Sequence, residues 1–217
     1  MTTRLRTRAI LFDMDGTLVD STAIVERVWG RFADEHGVSI VDILRSSHGV
    51  KAHDTIRKHA PHLIDVDAAA ADLAAFEIEQ TDGLIEIPGA ARFVEQVPEG
   101  GYALVTSAPN ALARMRLELC GIHSPSVVVA ADDVINGKPH PEPYLTAAAA
   151  LGLEPADCVV FEDAVAGIRS GLAAGMRVVV VGGVVDEVTE GLTRIVDYTN
   201  ASIADADTSG FTIVFGG

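Results

Sequence analysis

The sequence predicts an α/β protein built on a doubly wound, mainly parallel sheet with an α-helical insertion. Three observations carry this. A short apolar run, Ile10-Leu11-Phe12, lacks polar alternation, as expected of a strand covered on both faces, and it stops abruptly at Asp13-Met14-Asp15-Gly16. From Pro88 onwards, short apolar runs alternate with stretches of helical periodicity, the rhythm of βαβ units. Between these two regions, residues 21–87 carry helical spacing and nothing that alternates like a strand. The expected division is a Rossmann-like core from residues 1–20 and 88–217, with 21–87 inserted as a helical module.

Taken in order, Ile24, Val28 and Phe32 recur at helical spacing before His36-Gly37, a helix-stop signal. Further helices are expected around Val41–Ser46, Ala52–His59 and Asp67–Gln80, with Pro88-Gly89 marking the exit. Then follow a helix at Ala90–Val97, a strand at Tyr102–Thr106, a helix at Asn110–Leu119 and a short strand at Val127–Ala130. Pro141 and Pro143 suit the first turn of a helix over Glu142–Leu151. Cys158–Phe161 reads as a strand, Val165–Ala174 as a helix and Arg177–Val181 as a strongly apolar strand. Gly167 and Gly171 would let their helix approach the sheet closely, and Gly175 reads as its C-terminal cap. The tail is weaker, with a helix near Glu187–Leu192, a strand near Arg194–Asp197 and a last strand at Phe211–Phe215.

The 217 residues, 48% hydrophobic and 22% charged, have ordinary globular composition and are enough for a full core plus a smaller module. A formal net charge of −15 argues against nucleic acid and anionic membrane as partners. A phosphate ligand would need local positive charge, because the global field opposes it. Cys120 and Cys158 form no C-x-x-C pair and read as reduced thiols in apolar surroundings. The apolar patch after Arg4, Arg6 and Arg8 reaches Asp13 too soon for a signal-peptide core, and no run approaches the ~20 residues of a membrane span. A cytoplasmic monomer is the expectation.

In an open parallel sheet, ligands bind beyond the carboxyl ends of the strands. Asp13 and Asp15 stand at the first such end. Carboxylates about 4–6 Å apart repel by roughly 1–4 kcal/mol near a surface, so a hard dication is the simplest partner for them. A strand followed by an Asp-Gly turn is the plainer alternative. Thr106-Ser107 precede Pro109-Asn110 and a helix start, which suits either an anion site or an ordinary cap. Lys138, between Gly137 and Pro139, offers a fixed point charge unless it is a solvated surface lysine. Glu162-Asp163 end the strand at Cys158–Phe161, as further ligands or as caps of the next helix.

In this order the motifs resemble those of the haloacid dehalogenase superfamily of phosphohydrolases. Asp13-Met14-Asp15-Gly16-Thr17 is similar to the first motif, Thr106 to the second, Lys138 to the third and Glu162-Asp163 to the fourth. The inserted helices resemble the family's small cap. Gly137-Lys138-Pro139-His140-Pro141-Glu142-Pro143-Tyr144 and Ser47-His48-Gly49 look like the 2-deoxyglucose-6-phosphate and glycerol-phosphate phosphatases. Asp15 is present, which the true dehalogenases lack. Val25 stands where β-phosphoglucomutases carry a cap-hinge histidine, which argues against a phosphosugar mutase.

The resemblance implies a Mg²⁺-dependent phosphatase acting on small sugar or polyol phosphate monoesters through an aspartyl-phosphate. Asp13 would be the nucleophile and Asp15 the proton carrier. Thr106, Ser107 and Lys138 would hold the phosphoryl oxygens. Mg²⁺ would take the Asp13 carboxylate, the Asp15 main-chain carbonyl and Asp163, with Glu162 near it through water. Thr17 and Asn110 are expected at the substrate from the core side, and His48 and Lys51 from the cap loop. His59 and His62 are expected to be solvated, and Trp29 to serve cap packing. A non-hydrolytic phosphoacceptor or binding protein is the alternative of another class.

Overall fold

The computed structural model describes residues 2–216. The chain begins in β1 (Thr3–Thr7) and crosses to β2 (Ala9–Phe12), which is fully buried, as its unbroken apolar run requires. After β3 (Val19–Asp20), four helices follow: α1 (Thr22–His36), α2 (Ile40–Ser47), α3 (Ala52–His59) and α4 (Val66–Ile78). Gly37 closes α1, as the His36-Gly37 signal predicts. These helices share a core of their own, built from Ile24, Val28, Phe32, Ile43, Ile56 and Leu73. Trp29 belongs to it, edge-on to Phe32.

The return is made by β4 (Ile85–Glu86), which pairs antiparallel with β3 in a two-stranded ribbon too short to leave an alternating pattern. Then come α5 (Ala90–Val94), β5 (Tyr102–Val105), α6 (Asn110–Leu119), β6 (Val127–Val129), α7 (Glu142–Ala150), β7 (Cys158–Glu162), α8 (Val165–Ala173), β8 (Arg177–Val181) and β9 (Thr193–Ile195). The main sheet has six strands in the order β6-β5-β2-β7-β8-β9, every neighbouring pair parallel. The doubly wound parallel sheet expected from the sequence is therefore present.

Each face of that sheet is sealed differently. One buries aromatic rings, with Phe12, Phe93, Phe161 and Tyr198 in mutual contact beside Ala113 and Leu117 of α6. The other buries smaller side chains under α7 and α8, among them Ala147, Ala148, Val160 and Val180. Gly171 lies where a Cβ would crowd Val160 and Val178, so α8 does sit close to the sheet.

The tail differs from expectation. The helix near Glu187–Leu192 is a single 3₁₀ turn, Glu187–Thr189. The last two strands, β10 (Ala201–Asp207) and β11 (Gly210–Phe215), form a separate antiparallel sheet with β1 in the order β1-β11-β10. Arg4 pairs there with Asp205, and Arg6 with Asp207 at 2.6 Å. Among the described residues, no helix is long and apolar enough to cross a membrane.

Candidate active site

Three adjacent parallel strands deliver the site. In register, Phe12 lies between Leu104 of β5 and Phe161 of β7, so the residues that follow these strands emerge side by side. The Asp13 N–H still donates to Phe161 O at 3.0 Å, and the Thr106 N–H to Val129 O at 2.9 Å, which holds both residues at the sheet's edge. Asp13 is 4% exposed.

Lys138 reaches this edge from the loop before α7. It is not a solvated lysine: it is 1% exposed, and its Nζ donates to Asp13 Oδ1 at 2.5 Å, Glu162 Oε1 at 2.7 Å and Val105 O at 2.9 Å. All three ammonium protons are thereby used. Burial works against its charge, but Asp13 and Glu162 outweigh burial and push its pKa up. Glu162 is fully buried; its Oε1 also accepts from Tyr144 Oη at 2.9 Å and its Oε2 from the Ala164 N–H at 3.1 Å. Both of its oxygens are therefore hydrogen-bonded within the protein, one of them to Lys138. Gly167 makes room for it, since a Cβ there would overlap the Glu162 carboxylate.

Asp13, Glu162 and Asp163 present carboxylate oxygens all within 4.8 Å of one another. Burial, then Glu162, push the Asp13 acid up to about 8 against the pull of Lys138. Burial, then Asp13 and Glu162, push Asp163 well above the usual carboxylate range. One lysine does not balance three crowded carboxylates, and the donors are all hard oxygens. The cluster fits a divalent cation of the Mg²⁺ kind. Thr17, expected at the substrate, is instead fully buried and donates to Asp163 Oδ1 at 3.1 Å, so it orients that carboxylate. Gly16 lies over Asp163 without a Cβ, for which there would be no space.

Asp15 has partners of its own. Its Oδ1 accepts from Ser21 Oγ and from Arg116 Nη1, both at 2.6 Å. Ser21 occupies the N-terminal cap position of α1 yet makes no capping bond, because its hydroxyl serves Asp15. Arg116, on α6, is 1% exposed, and its Nη2 donates to Glu77 Oε1 at 2.7 Å on α4. Burial raises the Glu77 acid, and Arg116 partly offsets that. Sequence reasoning missed Arg116, Glu77, Ser21 and Tyr144. Arg116 had a legible signal, since it falls on the helix face shared by Leu112 and Ala113.

A cavity of about 110 Å³ contains this chemistry. Asp13, Asp15, Thr106 and Ser107 line it from the core, and His48, Trp29, Val25 and Glu77 from the helical insertion. Trp29 thus serves packing and the cavity wall together. A wider cleft of about 740 Å³ opens on the Asp163 side, with Arg45, Arg169 and His48 on its walls. His48 borders both spaces.

The loop between α2 and α3 is latched to the core. Ser107 Oγ donates to Gly49 O at 2.9 Å. Lys51, expected at the substrate, lays its stem over Gly137 and donates to Val134 O at 2.6 Å, so it ties the loop down without lining the small cavity. Asn110, also expected at the substrate, accepts from Arg114 Nε at 2.8 Å, one helical turn on, and lines neither space. His59 is held by Ser46 Oγ at 2.8 Å.

Residues 7–175 match the model of a family described as haloacid dehalogenase-like hydrolase. Hexitol phosphatase A of Escherichia coli K12 is 40% identical over 186 residues, covering 84% of this chain and 86% of that protein. Glycerol-1-phosphate phosphohydrolase 2 of Saccharomyces cerevisiae is 33% identical over 186 residues, covering 81% and 74%. Among solved structures, a β-phosphoglucomutase from Clostridium difficile superposes with a TM-score of 0.77 at 23% identity, covering 88% of this chain and 91% of that one, a likeness of fold.

Proposed function

The chain belongs to the haloacid dehalogenase-like hydrolases, and we propose that it is a Mg²⁺-dependent phosphatase of small sugar or polyol phosphates. One observation carries the reading: Asp13, with Lys138 on one of its oxygens, shares a small cavity with Asp15, Thr106 and Ser107. Relatives that act on a hexitol phosphate and on glycerol 1-phosphate support the substrate class.

In the proposed reaction, Lys138 occupies Asp13 Oδ1 and leaves Oδ2 to attack phosphorus. The bond from phosphorus to the sugar oxygen breaks, and Asp15 gives that oxygen its proton. Water then attacks the aspartyl-phosphate and Asp15 takes its proton, returning free Asp13 and inorganic phosphate. The charge of Lys138 and the hydroxyl of Thr106 stabilise the phosphoryl oxygens, and Ser107 joins them when its hydroxyl turns from Gly49 O to the substrate. Asp13 and Asp163, with the Asp15 main-chain carbonyl, would hold Mg²⁺, which when bound neutralises charge on the phosphoryl group. Residues 21–87 act as a cap, covering the leaving group and excluding water.

The test is phosphate release from a panel of sugar, polyol and nucleotide monophosphates, with Mg²⁺, with chelator and with Asp13→Asn. The reading expects metal-dependent release that favours small sugar or polyol esters and disappears in the variant. No release from any ester by folded, Mg²⁺-loaded protein would overturn it.

A further inference from the structure

Among the described residues, Arg116 is the one guanidinium buried inside this site, and its two ends face different halves of the molecule. Nη1 donates to Asp15 Oδ1 on the core at 2.6 Å, and Nη2 donates to Glu77 Oε1 on α4 of the helical insertion at 2.7 Å. Because Ser21 Oγ also lands on Asp15 Oδ1 at 2.6 Å, two donors fix one oxygen of that carboxyl and leave Oδ2 for the travelling proton. The Arg116 side chain lines the small cavity, and its buried Nε has no hydrogen-bond partner among the described residues.

We propose that Arg116 is a positioning residue that makes seating of the cap and alignment of the proton carrier a single event. Glu77 comes within reach of Arg116 only when α4 lies against α6; with Glu77 engaged, the planar fork is fixed, and with it the carboxyl of Asp15. When the cap lifts, Arg116 loses its second anchor and Asp15 loses a rigid partner. Protonation of the leaving oxygen then waits for the substrate to be enclosed, which shields the site from wasteful reaction with water.

This inference rests on the phosphatase reading, in which Asp13 attacks, the ester oxygen leaves with the proton of Asp15, and phosphorus is transferred to Asp13. A positioning role for that proton has a signature that a structural role lacks. An alkyl leaving group needs the proton, whereas an activated aryl leaving group departs without it. The experiment is rapid-mixing measurement of the first-turnover release of the leaving group, comparing a polyol phosphate with p-nitrophenyl phosphate. Wild type, Arg116→Lys and the double variant Arg116→Met/Glu77→Leu are compared; the double variant removes both charges of the cap clasp, so neither is stranded. The proposal expects the ratio of alkyl to aryl rate to fall at least tenfold in both, and Glu77→Gln to lower it in the same direction by a smaller factor. A ratio unchanged from wild type, whether both rates fall together or neither falls, would overturn the role of Arg116 and leave the phosphatase reading standing. Inactivity of the wild type on both esters would overturn the phosphatase reading itself, and this proposal with it.

Discussion

Asp13 is the residue on which the site's electrostatics turn. Burial and Glu162 raise its acid to about 8, although Lys138 holds one of its oxygens. The sign of the consequence follows from linkage. With a folded pKa above the unfolded value near 3.8, the folded protein binds more protons than the unfolded chain across the window from there to about 8. Stability of the metal-free protein should therefore decline as pH rises through that window, and Asp163, raised for the same reason, adds to the decline. Mg²⁺ competes for the same carboxylates, so it should flatten the profile and stabilise most at the alkaline end. Melting curves from pH 5 to 9, with Mg²⁺ and with chelator, check this; a metal-free protein that grows more stable toward pH 8 would contradict it. At this scale the sequence was readable for placement at Asp13, Asp15, Thr106 and Lys138, which the structure brings to one end of the sheet. It was silent where tertiary placement decides. Nothing local distinguishes the buried Arg116 from the exposed Arg114 except the helix face it occupies, and Thr17 and Lys51 are of substrate-binding type yet are spent on Asp163 and Val134.

Among the elements, α8 shows how packing sets chemistry. Gly167 and Gly171 both let the helix lie on the sheet, but for different neighbours. At Gly171 a Cβ would press on the valines Val160 and Val178, whereas at Gly167 it would overlap Glu162, a partner of Lys138. Gly167→Ala should therefore lower kcat by about a hundredfold or more, since removal of one preorganised charge-stabilising group costs ~10²–10³. Gly171→Ala should act mainly on stability, by the ~1–3 kcal/mol of an overpacked core. Steady-state kinetics and denaturant melts on the two variants separate these effects. The parallel strands were legible because burial on both faces leaves unbroken apolar runs. The β1-β11-β10 sheet was not, since its pairing joins Thr3 to Phe215 across the whole chain and β10 is polar along much of its length. Its exposed arginine and aspartate pairs read in the sequence as surface charge.

At the level of the whole molecule, polar contacts that join the insertion to the core include Ser107 to Gly49, Lys51 to Val134, and Arg116 to Glu77. Each joins groups distant in sequence, so none is visible from periodicity. Lys51 does not line the small cavity, so Lys51→Ala should raise KM by about tenfold, as loss of a charged hydrogen bond of ~1.5 kcal/mol would, and change kcat less. Saturation curves for a polyol phosphate read that split. The proposal that Asp13 forms the covalent bond is tested most directly by trapping it. Protein mixed with excess polyol phosphate and Mg²⁺ is quenched in acid within the first turnover, and its peptides are weighed. One phosphoryl group is expected on the peptide that carries Asp13, and none in Asp13→Asn. Steady release of phosphate from the wild type with Asp13 unmodified, or with the group on another residue, would contradict it.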